Sequence, residues 1–362
     1  MSTTLRTTYS GRRVFLTGHT GFKGSWLSLW LELLGAEVTG YALEPNTTPS
    51  HFDQLELQQR SVIANLNDNA ALVCALEEAQ PEVVFHMAAQ PNVLLSYEDP
   101  LETFETNVLG TARLLEACRR IDSVRAVVVI TTDKCYENRE WLYGYRETDA
   151  LGGHDPYSAS KACTELVASS FRRSFYAADG GSDALVATAR AGNVIGGGDW
   201  TEFRLVPDIM RAASRGEPVV IRNPDSSRPW QHVLEPLSGY LVLGAELLAG
   251  KQECASAWNF GPDIDSNLTT RGLFEAMRPE WPEIQCQVQP QAGAPHEAGL
   301  LMLDSTKARR QLGWRPAWGL EETLRETVLW YRAFYEEGRV LTEEQIERYV
   351  ASAAARGCGW AE

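Results

Sequence analysis

The sequence predicts an α/β fold in which a doubly wound parallel sheet is joined to a smaller C-terminal α/β domain. From residue 12 onward, short apolar runs alternate with amphipathic stretches of helical length, a pattern typical of strand, helix, strand repeats. Past residue 190 the chain becomes richer in glycine, proline and arginine. We therefore expect residues 1–190 and a returning segment at about 228–254 to form the first domain. Residues 191–227 and 255–349 should form the second domain, with 350–362 as a frayed tail.

The elements of the first domain follow one another along the chain. Apolar runs predict strands at RRVFLTG, AEVTGYAL, EVVFHMAA, RAVVVITTD and ALVATARAGNV. Apolar residues at i, i+3 and i+4 spacing predict helices at SWLSLWLELLG, ALVCALEEAQ, NVLGTARLLEACRRI and about 156–176. Because such helices are crossovers between parallel strands, they should cover both faces of one sheet. A further helix, QHVLEPLSGYLVLGAELLAG, should return to this domain.

The composition argues against several classes of protein. The 362 residues carry a formal net charge of -15, whereas nucleic acids and anionic membranes bind positively charged surfaces. No apolar run reaches the roughly 20 residues of a membrane span, and the first residues lack the apolar core of a signal peptide. The seven cysteines form no CxxC pair, and the six histidines do not cluster at metal-ligand spacing. We expect a cytoplasmic protein with no metal site and no nucleic-acid or membrane partner.

A glycine-rich loop joins the first strand to the first helix. In TGHTGFKGSW, Gly18, Gly21 and Gly24 form a GxxGxxG pattern. Glycines here permit a tight turn and let a pyrophosphate approach the backbone N–H groups at the start of a helix. The pattern predicts a Rossmann-type dinucleotide site, the alternative being a structural turn. No arginine closely follows the second strand, which favours NAD over NADP.

Tyr157 and Lys161, in DPYSASKAC, form the second motif. Residues i and i+4 of a helix share one face, so the ammonium can lie beneath the phenol and the nicotinamide ribose. A nearby cation favours phenolate, and we therefore expect the pKa of Tyr157 to be lowered toward the range of a general base. A chance YxxxK on an exposed helix is the alternative, which the preceding glycine loop disfavours.

With these motifs, the chain resembles the extended short-chain dehydrogenase/reductase superfamily. Within it, DKCYENREW, RAGNVIGGGDW, SSRPWQHVLEPLSGY and LGWRPAWGL look most like the CDP-D-glucose 4,6-dehydratase family. The resemblance implies NAD as cofactor, a small nucleotide-sugar substrate, a homodimer or higher homo-oligomer, and a place in deoxysugar synthesis for O-antigen. It implies NAD contacts from Gly18, Thr20, Gly21, Phe22, Lys23, Gly24, Asn65, Leu66, Ala88, Ala89, Tyr157 and Lys161.

The resemblance also implies a role for the polar residues that end the strand VVVITTDK. Tyr157 takes the sugar 4-OH proton while the C4 hydride passes to NAD, the 6-OH then leaves, and hydride returns to C6. Thr132 matches a position that hydrogen-bonds near O4, and Asp133 matches the acid that assists water loss. Lys134 stands where dTDP-glucose dehydratases carry Glu. An ammonium is not a base, so Lys134 either acts at C5 as a neutral amine or stabilises enolate charge while another group takes the proton.

Substrate contacts are expected mainly from the second domain. Arg228 can bind diphosphate oxygens in a bidentate manner, a surface salt bridge being the alternative. Asn193 and His296 match positions near the diphosphate or sugar, and Arg204 and Leu205 belong to a segment resembling the one that packs on the pyrimidine. The set implied by the resemblance is Gln90, Ser96, Asn193, Arg204, Leu205, Arg228 and His296.

Three other functions remain open at this point. Leu94 and Asn92 depart from the family pattern AAQPLVR, so a dehydratase of another nucleotide hexose is one alternative. A nucleotide-sugar epimerase uses the same tyrosine and lysine but needs no acid for elimination, and Asp133 disfavours it. A dinucleotide-sensing regulatory protein would keep the glycine loop without the catalytic groups.

Overall fold

Seven parallel strands form the central sheet of the protein. The computed structural model describes residues 4–176, 181–202, 204–221, 224–263, 266–289 and 300–361. The strands are β1 (Arg13–Thr17), β2 (Glu37–Ala42), β3 (Arg60–Ile63), β4 (Val83–His86), β5 (Ala126–Ile130), β6 (Leu185–Ala191), β7 (Val194–Ile195), β8 (Pro218–Ile221), β9 (Ser227–Pro229), β10 (Gln231–His232), β11 (Ala257–Phe260), β12 (Asn267–Thr269) and β13 (Gln285–Val288). The order across the large sheet is β3, β2, β1, β4, β5, β6, β11.

Helices cover both faces of this sheet, as the alternating pattern predicts. They are α1 (Leu5–Tyr9), α2 (Phe22–Leu33), α3 (His51–Gln54), α4 (Asn69–Ala79), α5 (Val93–Glu98), α6 (Pro100–Phe104), α7 (Gly110–Cys118), α8 (Pro156–Phe171), α9 (Leu205–Ser214), α10 (Leu234–Leu248), α11 (Thr270–Met277), α12 (Leu320–Arg332) and α13 (Thr342–Ala355). One apolar core joins the sheet to α2, α10, α12 and α13, and a second joins it to α4, α7 and α8. The predicted doubly wound α/β fold is confirmed.

The strand order creates a crevice at the carboxyl edge of the sheet. The chain leaves β1 for β2 on one side and returns to β4 on the other, so the order reverses between β1 and β4. At such a switch point the loops that follow neighbouring strands diverge and leave room for a ligand. The glycine loop follows β1, and the polar run Thr131 to Lys134 follows β5 two strands away.

Two parts of the predicted domain division differ from the structure. Residues 257–260, expected in the second domain, pair with β6 as the seventh strand of the sheet, because Trp258 and Phe260 are buried there. The tail predicted to be frayed continues α13 and then packs back on the first domain. Trp360 is only 7% exposed, its ring stacks on that of Tyr349, and its carbonyl accepts from the amide of Leu5 at 3.2 Å. Composition suggested an exposed tail, but burial of this indole anchors it.

Three short strand pairs lie outside the large sheet: β7 with β10, β8 with β13, and β9 with β12. The glycine-rich run after β7 packs tightly, since a Cβ at Gly197 would lie 1.9 Å from the ring of Trp330. Within the described residues, the structure contains no helix with the length and apolarity needed to span a bilayer.

Candidate active site

The glycine loop has the geometry of an anion-binding turn. Gly18 has a φ of +76°, and a Cβ there would lie 2.7 Å from the amide nitrogen of Ala88. A Cβ at Gly24 would lie 2.0 Å from the carbonyl oxygen of Gly18, so only glycine lets α2 approach the loop. The first turn of α2 follows Gly21 without a side-chain cap. Its N–H groups therefore suit a pyrophosphate, whose charge the helix dipole also favours.

The remaining residues predicted to contact the cofactor have different environments. The Thr20 hydroxyl donates to the carbonyl of Leu43 at 2.8 Å, and Asn65 lies exposed after β3. Phe22, Lys23, Ala88 and Ala89 are half-buried beside the loop or after β4. The side chain of Leu66 is buried against Gly110 of α7.

Asp133 is a buried carboxyl at the carboxyl end of β5. It is 3% exposed and accepts a hydrogen bond from the Thr132 hydroxyl at 3.0 Å. Burial raises the pKa of Asp133, while the positive charges of Lys134 and Arg228 and the Thr132 hydrogen bond oppose that rise. Asp133 is therefore placed to hold and release a proton beside a cluster of cations.

Tyr157 lies at the start of α8, close to this carboxyl. The helix begins with Asp155 as N-cap, whose carboxylate accepts from the amide of Ser158 at 2.9 Å. Burial raises the pKa of Tyr157 to about 12, although a hydrogen bond with Thr132 and the charge of Arg204 lower it. The prediction of a lowered tyrosine pKa is wrong for the protein alone, because desolvation of the phenolate and the charges of Asp133 and Asp155 outweigh the Thr132 hydrogen bond and the charge of Arg204.

Lys161 follows one turn later on α8 and points back to the end of β5. Its ammonium donates to the carbonyl of Ile130 at 3.2 Å, and the residue is 6% exposed. Burial and the positive charge of Lys23 lower the pKa of Lys161 to about 8. Lys23 has a pKa of about 8 as well, because of burial and the charge of Arg204, partly offset by Asp133. The charge of Asp133 acts on Lys23 and the charge of Lys23 acts on Lys161, so the glycine loop, the end of β5 and α8 lie close together.

Two arginines from outside the large sheet complete this cluster. Arg228 on β9 is 9% exposed, donates to the carbonyl of Ser227 at 2.8 Å, and its charge acts on Asp133. Arg204 precedes α9, forms an ion pair with Asp199 at 2.9 Å, and its charge acts on Tyr157. Such a cationic site favours an anionic group, of which a diphosphate is one example.

The other residues predicted to bind substrate have different environments. Asn193 and Leu205 are half-buried, before β7 and at the start of α9 respectively, and His296 lies outside the described residues. Ser96 is fully buried beneath α8, where its hydroxyl accepts from the amide of Tyr157 at 3.1 Å and so helps to position Tyr157. The Gln90 amide donates to Thr103 at 2.8 Å and thus holds its own loop in place.

Two residues that shape the site were missed from sequence. Asn107, in a π-helical turn, donates to the carbonyl of Gln90 at 3.1 Å and to the Ser160 hydroxyl at 2.8 Å, which joins the loop after β4 to α8. Gly192 leaves room for the carboxyl at the strand end, since a Cβ there would lie 2.8 Å from Oδ2 of Asp133. An asparagine and a glycine in these settings carry no sequence signal of their own.

No cluster of three or more histidine, cysteine, aspartate or glutamate side chains suited to a metal ion occurs in the described ranges. The polar groups at the crevice are instead hydroxyls, one buried carboxyl and several cations, which are suited to proton transfer and anion binding.

Comparisons with known proteins show the family to which the chain belongs. The sequence model described as GDP-mannose 4,6 dehydratase matches residues 15–327. The chain is 49% identical to CDP-glucose 4,6-dehydratase of Salmonella typhimurium, over 95% of this chain and 98% of that protein. It is 28% identical to dTDP-glucose 4,6-dehydratase of the same organism, over 89% and 93% of the two chains. The solved UDP-glucose 4-epimerase of Thermus thermophilus in complex with NAD is 27% identical with a TM-score of 0.77, over 88% of this chain and 99% of that one.

Proposed function

Because the chain belongs to the GDP-mannose 4,6 dehydratase family, we propose that it is an NAD-dependent nucleotide-sugar 4,6-dehydratase. The proposed reaction converts CDP-D-glucose to CDP-4-keto-6-deoxy-D-glucose with loss of one water. The 49% identity to a CDP-glucose 4,6-dehydratase across almost the whole chain supports this substrate. The observation that carries the reaction type is Asp133, a buried carboxyl with a raised pKa beside Tyr157, because elimination requires an acid that epimerisation does not.

NAD is proposed as the cofactor because the glycine loop suits a pyrophosphate and a relative at 27% identity was solved with NAD. Gly18, Gly21 and Gly24 would hold the pyrophosphate, and Lys161 the nicotinamide ribose. When bound, NAD supplies a hydride acceptor at C4 of the sugar, a hydride donor at C6, and a positively charged ring. That positive charge would favour the phenolate of Tyr157, whose pKa burial otherwise raises.

The side chains of this protein then perform the proton transfers. Tyr157 takes the proton of the sugar 4-OH, and the Thr132 hydroxyl hydrogen-bonds near the same oxygen. The C4 ketone makes the C5 proton acidic, a base in the crevice takes this proton and exchanges it with water, and Lys134 stabilises the negative charge that forms. C5 receives a proton again when hydride arrives at C6. Asp133 gives its proton to the departing 6-OH, and water is released. The hydrogen taken from C4 ends at C6, so the reaction has no net oxidation.

Substrate binding is proposed to depend on Arg204 and Arg228. Arg228 is mostly buried and its charge acts on Asp133, which suits a diphosphate held next to the reacting sugar. Arg204, at the start of α9, is placed to contact the same anion or the pyrimidine. Leu94 stands where the family pattern has arginine, and it is 38% exposed on α5, which packs against the helix of Tyr157. This position therefore offers no positive charge to the substrate.

A panel of sugar nucleotides tests the proposal. The purified protein is incubated with NAD and, separately, with CDP-glucose, dTDP-glucose, GDP-mannose and UDP-glucose, and the products are weighed by mass spectrometry. We expect loss of one water from CDP-glucose alone. Loss of water from another sugar nucleotide would reassign the substrate, and a product of unchanged mass but altered retention would indicate epimerisation.

Replacement of Gly192 by alanine should weaken catalysis without unfolding the protein. The new Cβ would displace the carboxyl of Asp133, which lies 2.8 Å from the Cβ position. We expect the rate of dehydration to fall by about 10- to 100-fold, because small displacements of a catalytic group have effects of that size. Gly319→Ala is the control, since a Cβ there meets no atom within 4 Å. Equal rates in the two variants, measured at equal Tm, would contradict this role for Gly192.

A homodimer is proposed through the outer surface of α6, α8 and the π-helical turn between α6 and α7. Leu101, Leu109 and Leu166 lie on these elements and are 81%, 52% and 58% exposed. Apolar exposure of this extent on packed neighbouring helices is typical of an association surface.

Introducing charge on this surface should separate the subunits. We expect the double variant Leu101→Glu with Leu166→Glu to have the mass of a monomer by light scattering. Leu142→Glu is the matched control, because Leu142 is 84% exposed on a different segment of the chain. An unchanged mass in the double variant would rule out this interface.

A further inference from the structure

A buried ion pair lies behind the active site and takes no part in the chemistry above. Arg190 on β6 donates to a carboxylate oxygen of Glu165 on α8 at 2.8 Å, and both side chains are 3% exposed. Desolvation offsets much of the attraction in a pair this deeply buried, so stability alone is a weak reason for it. We propose, resting on the function proposed above, that this pair is a positioning device that fixes α8 against the catalytic strand end and keeps Lys161 positively charged.

The contacts of Glu165 join the two elements that carry the catalytic groups. One carboxylate oxygen accepts from the hydroxyl of Thr131, the first residue after β5, and the other accepts from Thr188 at 2.7 Å. Thr131 directly precedes Thr132 and Asp133. Glu165 lies one helical turn beyond Lys161, on the same face of α8. The carboxylate therefore sets how this face of α8 sits on the end of β5.

The contacts of Arg190 extend the same network toward the second domain. Its guanidinium donates to the Tyr136 hydroxyl at 2.6 Å and to the carbonyl of Glu147 at 3.2 Å, and lies over the ring of Tyr136 at 4.9 Å. The Tyr136 hydroxyl donates in turn to Asn259 at 2.8 Å. Arg190 thus holds both ends of segment 136–147, part of which lines a cavity of about 250 Å³ next to Pro229, the neighbour of Arg228.

The charge of Glu165 also acts on Lys161. The titratable groups that interact with the Lys161 ammonium are Lys23 of α2, His86 of β4, Cys135 after β5, and Glu165 of α8. Burial and Lys23 lower the pKa of Lys161, and Glu165 raises it. Burial lowers the pKa of His86 to about 3 and raises that of Cys135, so both are neutral near pH 7. Burial raises the pKa of Glu165, but the charge and hydrogen bond of Arg190 and two hydroxyls outweigh that rise and leave the pKa lowered, which keeps Glu165 ionised.

Glu165→Gln keeps the shape of the side chain and removes its charge. Without the negative charge the pKa of Lys161 should fall further, so the ammonium is lost at a lower pH. We expect the alkaline limb of kcat/KM to move to lower pH by about one unit or more. Thr188→Val is the matched control, because it removes one hydrogen bond from Glu165 while leaving the charge in place.

A second readout measures Lys161 directly in the protein without cofactor or substrate. Trace labelling with acetic anhydride across a pH series, read by peptide mass spectrometry, reports the titration of each of the five lysines in the chain. The midpoint for Lys161 should move down in Glu165→Gln and stay in Thr188→Val, with Lys307 as an internal reference. Identical midpoints and identical pH profiles in the two variants would overturn the proposal.

If Glu165→Gln does not fold, Arg190→Lys tests the positioning role of the ion pair. Lysine keeps the positive charge but lacks the fork that reaches Glu165 and Tyr136 together. We expect a several-fold higher KM for the sugar nucleotide with the Lys161 midpoint retained, whereas an unchanged KM and kcat would overturn the positioning role. If the wild-type protein dehydrates no sugar nucleotide while the Lys161 midpoint still shifts, the proposed function fails and the inference about Lys161 stands.

Discussion

Tyr157→Phe should abolish oxidation of the sugar at C4. The variant keeps the ring that packs at the start of α8, and its buried position makes a large structural change unexpected. It lacks the hydroxyl that takes the 4-OH proton, and removal of a general base typically lowers a rate by about 10²- to 10⁴-fold. We expect turnover of CDP-glucose, measured by mass spectrometry of the product, to fall by at least about 10⁴-fold.

The companion measurement is cofactor affinity. NAD binding, followed by calorimetry, should be nearly unchanged in Tyr157→Phe, since the glycine loop and Lys161 remain. Ser158→Ala is a useful control, because Ser158 is the next residue on α8 and its hydroxyl donates to Asp155 rather than facing the crevice. Turnover near the wild-type rate in Tyr157→Phe would remove Tyr157 from the chemistry.

Asp133→Asn should slow loss of water more than it slows oxidation at C4. The amide keeps the hydrogen-bonding shape of the buried carboxyl but has no acidic proton for the 6-OH. We expect overall dehydration to fall by about 10²- to 10⁴-fold. In deuterated water the steps up to C5 deprotonation can still occur, so deuterium should enter C5 of recovered substrate faster than product forms.

The pH dependence gives this prediction a second test. The pKa of Asp133 is raised, so the proton that it donates is retained to higher pH than for an ordinary aspartate. Activity of the wild type should therefore decline as pH rises through that pKa, separately from the loss of activity at the pKa of Lys161, and the residual activity of Asp133→Asn should lack the first decline and keep the second. Equal losses of C5 exchange and of dehydration in Asp133→Asn would contradict the division of labour between Tyr157 and Asp133.

The architecture was accessible from sequence because hydrophobic periodicity records burial. Parallel strands such as β5 are buried on both faces and therefore consist of consecutive apolar residues, five in this case. In the helices between them, apolar residues recur at i, i+3 and i+4. The failures occurred where burial came from distant partners. Trp360 is buried because its ring packs against those of Trp30 and Tyr349, and no pattern in the neighbouring sequence predicts that contact.

The candidate site was accessible only in part. The YxxxK spacing singled out Tyr157 and Lys161, and Asp133 was proposed from the polar end of its strand and the family resemblance. The net pKa of Tyr157 depends on desolvation that only the packed structure reveals. One signal was present and overlooked. Arg190 is a charged residue inside the buried strand LVATARA, and a charge there requires a buried partner, which Glu165 supplies.

The most direct test of the central claim follows the hydrogen at C4 of the sugar. CDP-glucose labelled with deuterium at C4 is incubated with the protein and NAD, and the product is analysed by mass spectrometry and NMR. The account predicts a product one water lighter that carries the deuterium at C6. Deuterium retained at C4 in a product of unchanged mass would identify an epimerase and contradict the account.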